Sequence, residues 1–193
     1  DVTLPDTPIT VVHRSDGSGT SFVFTGYLTA VSQEWADAVG QNKEPDWPTG
    51  EGAEKNDGVA AQVKGTEGAI GYNEIAYALQ NQMTFASLKN ASGEVVEPSL
   101  ESTTKAAEGV QYPDDLRFSL LDSKTSGAYP IVSATWQLVY QDATKAGLSA
   151  DKAKKLKDFL TWELNDGQKS APDLDYAPLP ADLQKLALAK VDS

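Results

Sequence analysis

The chain has 193 residues, 40% of them hydrophobic, and its 28 acidic against 16 basic side chains give a net charge of −12. That length and apolar content suit one large domain or two small ones with packable cores. The negative balance argues against nucleic acid and anionic membrane surfaces as partners. With no cysteine, disulfides, thiolate metal sites and cysteine nucleophiles are excluded, and a single histidine rules out a zinc site built on several imidazoles.

No apolar run approaches the ~20 residues that span a bilayer, so the chain is expected to be soluble. The start, Asp1-Val2-Thr3-Leu4-Pro5, has neither the basic nor the apolar region of a signal peptide, so a mature, truncated or cytoplasmic form is expected. A Ser-His-Asp triad would have to use His13, and no Gly-x-Ser-x-Gly elbow accompanies it.

In chain order, Ile9-Thr10-Val11-Val12 is short and rich in β-branched residues, as a buried parallel strand is. A glycine-rich turn leads into a helix expected over 21–40, with Phe24, Leu28, Val31, Trp35 and Val39 on one face and Gly40 as its stop. Pro45 to Gly58 reads as loop. Asn56 or Asp57 then caps a short helix, Val59 to Lys64, closed by Gly65. Gly68 to Ile75 contains a second short strand, followed by a helical stretch from Ala76 to Gln82. Phe85 to Leu88 is another strand candidate, and Asn90 to Gly93 turns into Glu94-Val95-Val96. Ser99 caps a helix through Glu108, stopped by Gly109. This alternation of short strands and helices points to a layered α/β domain.

From Tyr129 the pattern changes. Val132, Ala134, Trp136, Leu138 and Tyr140 alternate with polar residues, which predicts a long half-buried strand. Ser149 caps a helix with Ala153, Leu156, Leu160 and Leu164 inward, and Pro180 opens a last one carrying Leu183, Leu186 and Ala187. One strand and two amphipathic helices cannot close a core alone. They complete the first unit's sheet or belong to a second lobe. The four tryptophans are read as core.

The turn after the first strand, His-Arg-Ser-Asp-Gly-Ser-Gly-Thr from His13 to Thr20, is dense in hydrogen-bond donors. Unpaired N–H groups and the positive dipole end at a helix start form an anion seat. Ser18 and Thr20 add hydroxyls, Gly17 and Gly19 allow close approach, and Arg14 offers a planar fork to two oxygens. Asp16 cannot bind an anion but can pair with Arg14 and hold it. An ordinary capped glycine turn with a surface ion pair fits the same local pattern. The lysine of a nucleotide P-loop is missing. His13 is read as a packing residue, the segment Gly50 to Gly58 as a solvated linker or inter-lobe contact, and Lys55 with Asp57 as a surface pair.

Four stretches together resemble the phosphate-binding proteins of bacterial phosphate ABC transporters, two-lobed periplasmic-type solute-binding proteins. They are HRSDGSGTSFVFTGYL (His13 to Leu28), NDGVAAQVKGTEGAIGYNE (Asn56 to Glu74), YPIVSATWQLVY (Tyr129 to Tyr140) and LDYAPLP (Leu174 to Pro180), in the family's order. The resemblance implies phosphate ligands at Arg14, Ser18, Gly19 and Thr20, with Asp16 as the arginine's partner, and neither a catalytic residue nor a metal or cofactor. It also implies a type II periplasmic binding protein-like fold with one complete lobe, residues 1–128, and the C-terminal part of the other, 129–193. The N-terminal part of that other lobe is expected outside this sequence, removed or on another chain.

The implied function is high-affinity binding of inorganic phosphate and delivery to the transporter's membrane permease. The implied location is periplasmic or otherwise extracytoplasmic, free or lipid-anchored through the missing N-terminus. The rival readings are a phosphatase or phosphotransferase using the same anion seat, a receptor for another tetrahedral oxyanion, and an interaction domain with a vestigial site.

Overall fold

The computed structural model describes residues 5–193; the signal-peptide reading rests on the first residues, of which Asp1 to Leu4 lie outside that range. The chain divides into two compact units, one ending at Ser87 and the other running from Leu88 to Ser193.

The first unit is built on β1 (Thr10–Arg14), the central strand of a three-stranded parallel sheet. On one side lies β2 (Glu51–Ala53), with Arg14 opposite Ala53; on the other lies β3 (Ala69–Gly71), with Val12 opposite Gly71. Val12 is fully buried and packs with Ala53 and Val59, flanked by Val63 and Ala69. The β-branched run thus forms a parallel strand as expected, but only Val12 is buried in it, and Ile9 lies before the strand and is 73% exposed.

The helical stretch after the turn is two helices, α1 (Gly19–Val31) and α2 (Gln33–Ala38), rather than one. Ser32 separates them: its N–H donates to the Leu28 carbonyl at 2.9 Å, while its hydroxyl accepts from Trp35 N–H at 3.2 Å. A serine that offers its side chain to the backbone competes with helix continuation in this way. Gly40, at φ +71°, stands just past the second helix, as expected.

The expected loop between Pro45 and Gly58 contains β2, whose Glu-Gly-Ala sequence carries no strand signal and is held only by pairing with β1. Next, α3 (Lys55–Gly65) starts four residues earlier than read, with Glu54 at its N-cap and no side-chain cap. Neither Asn56 nor Asp57 caps it, and Gly65 ends it. The unit closes with α4 (Ile75–Gln80).

The second unit opens with a two-stranded antiparallel hairpin, β4 (Leu88–Lys89) and β5 (Val95–Val96). The predicted strand from Phe85 is formed only at Leu88. Next comes α5 (Leu100–Ala107), capped by Ser99 and Ser102 reciprocally as a capping box. Ala106, Ala107, Leu120, Ala128 and Val132 form its core. Ser149 caps α6 (Ala150–Leu164), and Pro180 precedes α7 (Ala181–Asp192), both where the sequence put them. The predicted strand from Val132 to Tyr140 does not form. Leu138 is 96% and Tyr140 75% exposed, and no described strand pairs with the segment. Alternation makes a strand only where a neighbour takes up its backbone groups. The tryptophans are not core either: Trp35 and Trp47 are half-buried, and Trp136 and Trp162 are exposed. Among the described residues no helix is long and apolar enough to cross a membrane.

Glu94 ties the hairpin to the loop at Ser126 and Gly127, beside core residue Ala128. Its carboxylate accepts from Gly127 N–H at 2.6 Å, Ser126 Oγ at 2.8 Å and Ser92 Oγ at 2.9 Å. These donors, Gly127 first, lower its pKa from 4.5 to about 2. A folded value below the unfolded one means full stabilisation above about 4.5, declining as the pH falls and gone below about 2. We expect Glu94→Gln to lower the Tm at pH 7, and parallel thermal melts to show the difference from the parent closing as the pH falls from about 4.5 towards 2.

Candidate functional site

Four residues, Ser15 to Ser18, connect the end of β1 to the start of α1. Ser18 is the N-cap: its hydroxyl accepts from Ser21 N–H at 3.2 Å, and its carbonyl accepts from Phe22 N–H. Its own N–H donates to the Lys43 carbonyl at 3.0 Å, which straps the segment after α2 along the turn. The N–H groups of Gly19 and Thr20 are the next helix-start donors, and no described hydrogen bond takes them up. Apart from Gly19's own neighbours and helix backbone, no atom of the described residues lies within 4 Å of where a Cβ would stand on it, so the helix start is open to an approaching group. At Gly17 the same place is taken by the carboxylate of Glu44, a flexible and exposed side chain that would have to swing aside for a larger residue.

Arg14 presents a fixed guanidinium. Its Nε and Nη2 donate to the two oxygens of Asp16 at 2.7 and 2.6 Å, and its Nη1 donates to Asn56 Oδ1 at 3.0 Å. The side chain is only 9% exposed. Asp16 also accepts the Lys55 backbone N–H at 3.0 Å. The bidentate bond to Arg14 is the main reason its carboxyl stays well below the usual carboxylate range, and the same bond raises Arg14. Asp16 is therefore ionised, and the pair is neutral as a unit. Three of the five guanidinium N–H groups are engaged, leaving two to offer.

An aromatic layer backs the turn. His13 stacks on Trp47 with centroids 4.8 Å apart, and Tyr72 stacks on Phe24 at 4.4 Å and on Trp47 at 5.6 Å. His13 is thus a packing residue. Burial pushes the Tyr72 phenol up, so it stays neutral.

The fold brings Arg14, Asp16, Ser18, Gly19 and Thr20 together on one turn. Two residues that the sequence reading did not assign to it also reach it. Asn56, one of the two expected helix caps, grips Arg14 instead, and Tyr72 Oη accepts the Arg14 backbone N–H at 3.0 Å. Both fall within stretches that carried the resemblance, but nothing in their local spacing marks them. The segment read as a solvated linker supplies β2 and the start of α3. Lys55 pairs with Glu54 at 3.6 Å rather than with Asp57. Among the described residues no three His, Asp or Glu side chains gather as a metal cluster.

Known proteins resemble the chain in sequence and in fold. The chain is 43% identical over 184 residues to the phosphate-binding protein PstS of Xylella fastidiosa, covering 94% of this chain and 50% of that protein. It is 40% identical over 206 residues to the phosphate-binding protein PstS of Methanocaldococcus jannaschii, covering 98% of this chain and 52% of that one. This chain thus spans about half the length of these curated relatives. Among solved structures, a high affinity periplasmic phosphate-binding protein bound with phosphate matches with a TM-score of 0.66 at 20% identity, over 95% of this chain and 57% of its own. A human phosphate binding apolipoprotein matches with a TM-score of 0.69 at 19% identity, over 95% and 58%. These two likenesses show a shared fold. A family model described as a PBP superfamily domain matches residues 1–166, and the chain, α/β and periplasmic binding protein-like, belongs to that superfamily.

Proposed function

We propose that this chain carries one wall of the phosphate site of a solute receptor, which binds inorganic phosphate outside the cytoplasm and hands it to the membrane permease of an ABC transporter. The observation that carries this reading is the set of unspent donors on a single turn. It comprises two N–H groups of a guanidinium locked by Asp16 and Asn56, the first N–H groups of α1, and the hydroxyls of Ser18 and Thr20. Such donors suit the several oxygens of a tetrahedral anion, and charge-assisted hydrogen bonds strengthen as water is excluded. The relatives named phosphate-binding protein support phosphate as that anion.

In this proposal Arg14, Ser18, Gly19 and Thr20 touch phosphate, and Asp16 acts through Arg14. Residues 1–128 form the lobe that bears the turn, and 129–193 return to the other lobe. The rest of that lobe closes over the anion from beyond this sequence. The receptor performs no chemistry and needs no cofactor. It works in the periplasm or another extracytoplasmic space, free or tethered by a lipid.

Calorimetric titration of the full-length protein with phosphate tests the site. We expect Arg14→Ala to cost about 2–5 kcal/mol of binding, because it leaves desolvated oxygens without their donors. Asp16→Asn keeps the guanidinium and is expected to cost less. An Arg14→Ala protein that binds phosphate as tightly as the parent would overturn the assignment, as would a larger loss from Asp16→Asn. Sulfate titrated in parallel reports whether the site belongs to another oxyanion.

The 193-residue chain alone is a second test. Held from one side and open to water, phosphate gains far less per hydrogen bond than in a closed cleft. We expect weak or undetectable binding by this chain, and tight binding with a raised Tm once the remainder is supplied in cis or in trans. Tight binding by this chain alone, as a monomer, would refute the two-walled site.

A further inference from the structure

The turn is spanned from behind by a single hydroxyl. Along β1 the N–H groups of alternate residues point to the same neighbour. Thr10 N–H donates to the Gly68 carbonyl on the β3 side at 3.1 Å. The β1–β3 ladder ends where Val12 faces Gly71, so Arg14, two residues on, reaches the same side with no strand left to receive its N–H. The Tyr72 hydroxyl, carried by the first residue after β3, receives it at 3.0 Å.

The same oxygen lies 2.6 Å from Ser21 Oγ in the first turn of α1. Ser21 is fully buried, and its own N–H goes to the Ser18 hydroxyl at 3.2 Å. A chain of hydrogen bonds thus runs from the backbone of Arg14 through Tyr72 and Ser21 to the helix cap. The phenol is held in register by Phe24, which lies three residues beyond Ser21 on the same helix face and stacks on it.

We infer that Tyr72 is a positioning residue for anion binding, whose hydroxyl fixes the separation between the Arg14 fork and the donors at the start of α1. This rests on the phosphate reading above. Without the bridge, the two groups of donors sit on β1 and α1, connected through the Ser15–Ser18 turn, and their spacing drifts from that of one anion.

The test is Tyr72→Phe in the full-length protein, alone and combined with Arg14→Ala, with phosphate affinity and Tm measured for all four proteins. The ring and its stacking remain, so the protein should still fold, with a Tm lowered by a few degrees for the orphaned Arg14 N–H and Ser21 hydroxyl, while the phosphate Kd rises roughly tenfold for the lost hydrogen bonds. In the Arg14→Ala background the second substitution should add little, because the spacing it protects no longer has both partners. Ser21→Ala, which cuts the bridge at its other end, should weaken binding in the same direction, and it decides by the same criteria if Tyr72→Phe fails to fold. An unchanged Kd in Tyr72→Phe overturns the inference and leaves the phosphate reading standing. So does the same fold-loss in both backgrounds. A parent protein that binds no phosphate overturns the reading itself, and this inference with it.

Discussion

The candidate site depends on the pairing of Arg14 with Asp16. A guanidinium only 9% exposed must have its charge answered within the protein, and Asp16 does so through both oxygens. Because Asp16 remains ionised, an arriving anion meets no net positive charge. It meets a rigid array of N–H and O–H groups. Attraction from such an array is short-ranged and strict in geometry, and it grows as water is removed. These properties suit recognition of one ion shape better than long-range capture.

The parallel sheet determines what surrounds that pair. In a parallel arrangement every strand ends at the same edge, and in open α/β sheets ligands gather beyond the carboxyl ends of the strands. Here all three strands contribute there: β1 ends in Arg14, β2 is followed by Asn56, and β3 is followed at once by Tyr72. One side chain restrains the guanidinium and another restrains the backbone behind it. The topology therefore accounts for why residues 42 and 58 positions away converge on Arg14.

That distance also separates what could be read in the sequence from what could not. The β1–α1 turn, the caps at Ser99 and Ser149 and the stop at Gly40 were legible, because each follows from the chemistry of a few adjacent residues. The turn residues from Arg14 to Thr20 were singled out for the same reason. Asn56 and Tyr72 were not, since their roles exist only once β2 and β3 have paired with β1. The Glu-Gly-Ala of β2 has no signal of its own, and Ser32 broke a helix whose apolar face ran on through Trp35 and Val39. The stretch from Val132 to Tyr140 shows the converse case. Its alternation is plain, but a strand needs a partner for its backbone as well as a pattern in its side chains.

The chain's net charge of −12 sharpens the role of local geometry. At physiological salt, exposed charges are screened beyond about 8 Å, so acidic side chains farther than that from the turn act on it weakly. Two carboxylates lie against the turn itself: Asp16 on Arg14, and Glu44 against Gly17. The first is neutralised by the guanidinium it holds. The second is exposed and can shed its field into solvent while the turn is open. Exclusion of water from the turn would strengthen the donors and the Glu44 repulsion together. Part of the balance at this wall is therefore struck between the helix-start N–H groups with the Arg14 fork on one side and the Glu44 carboxylate on the other.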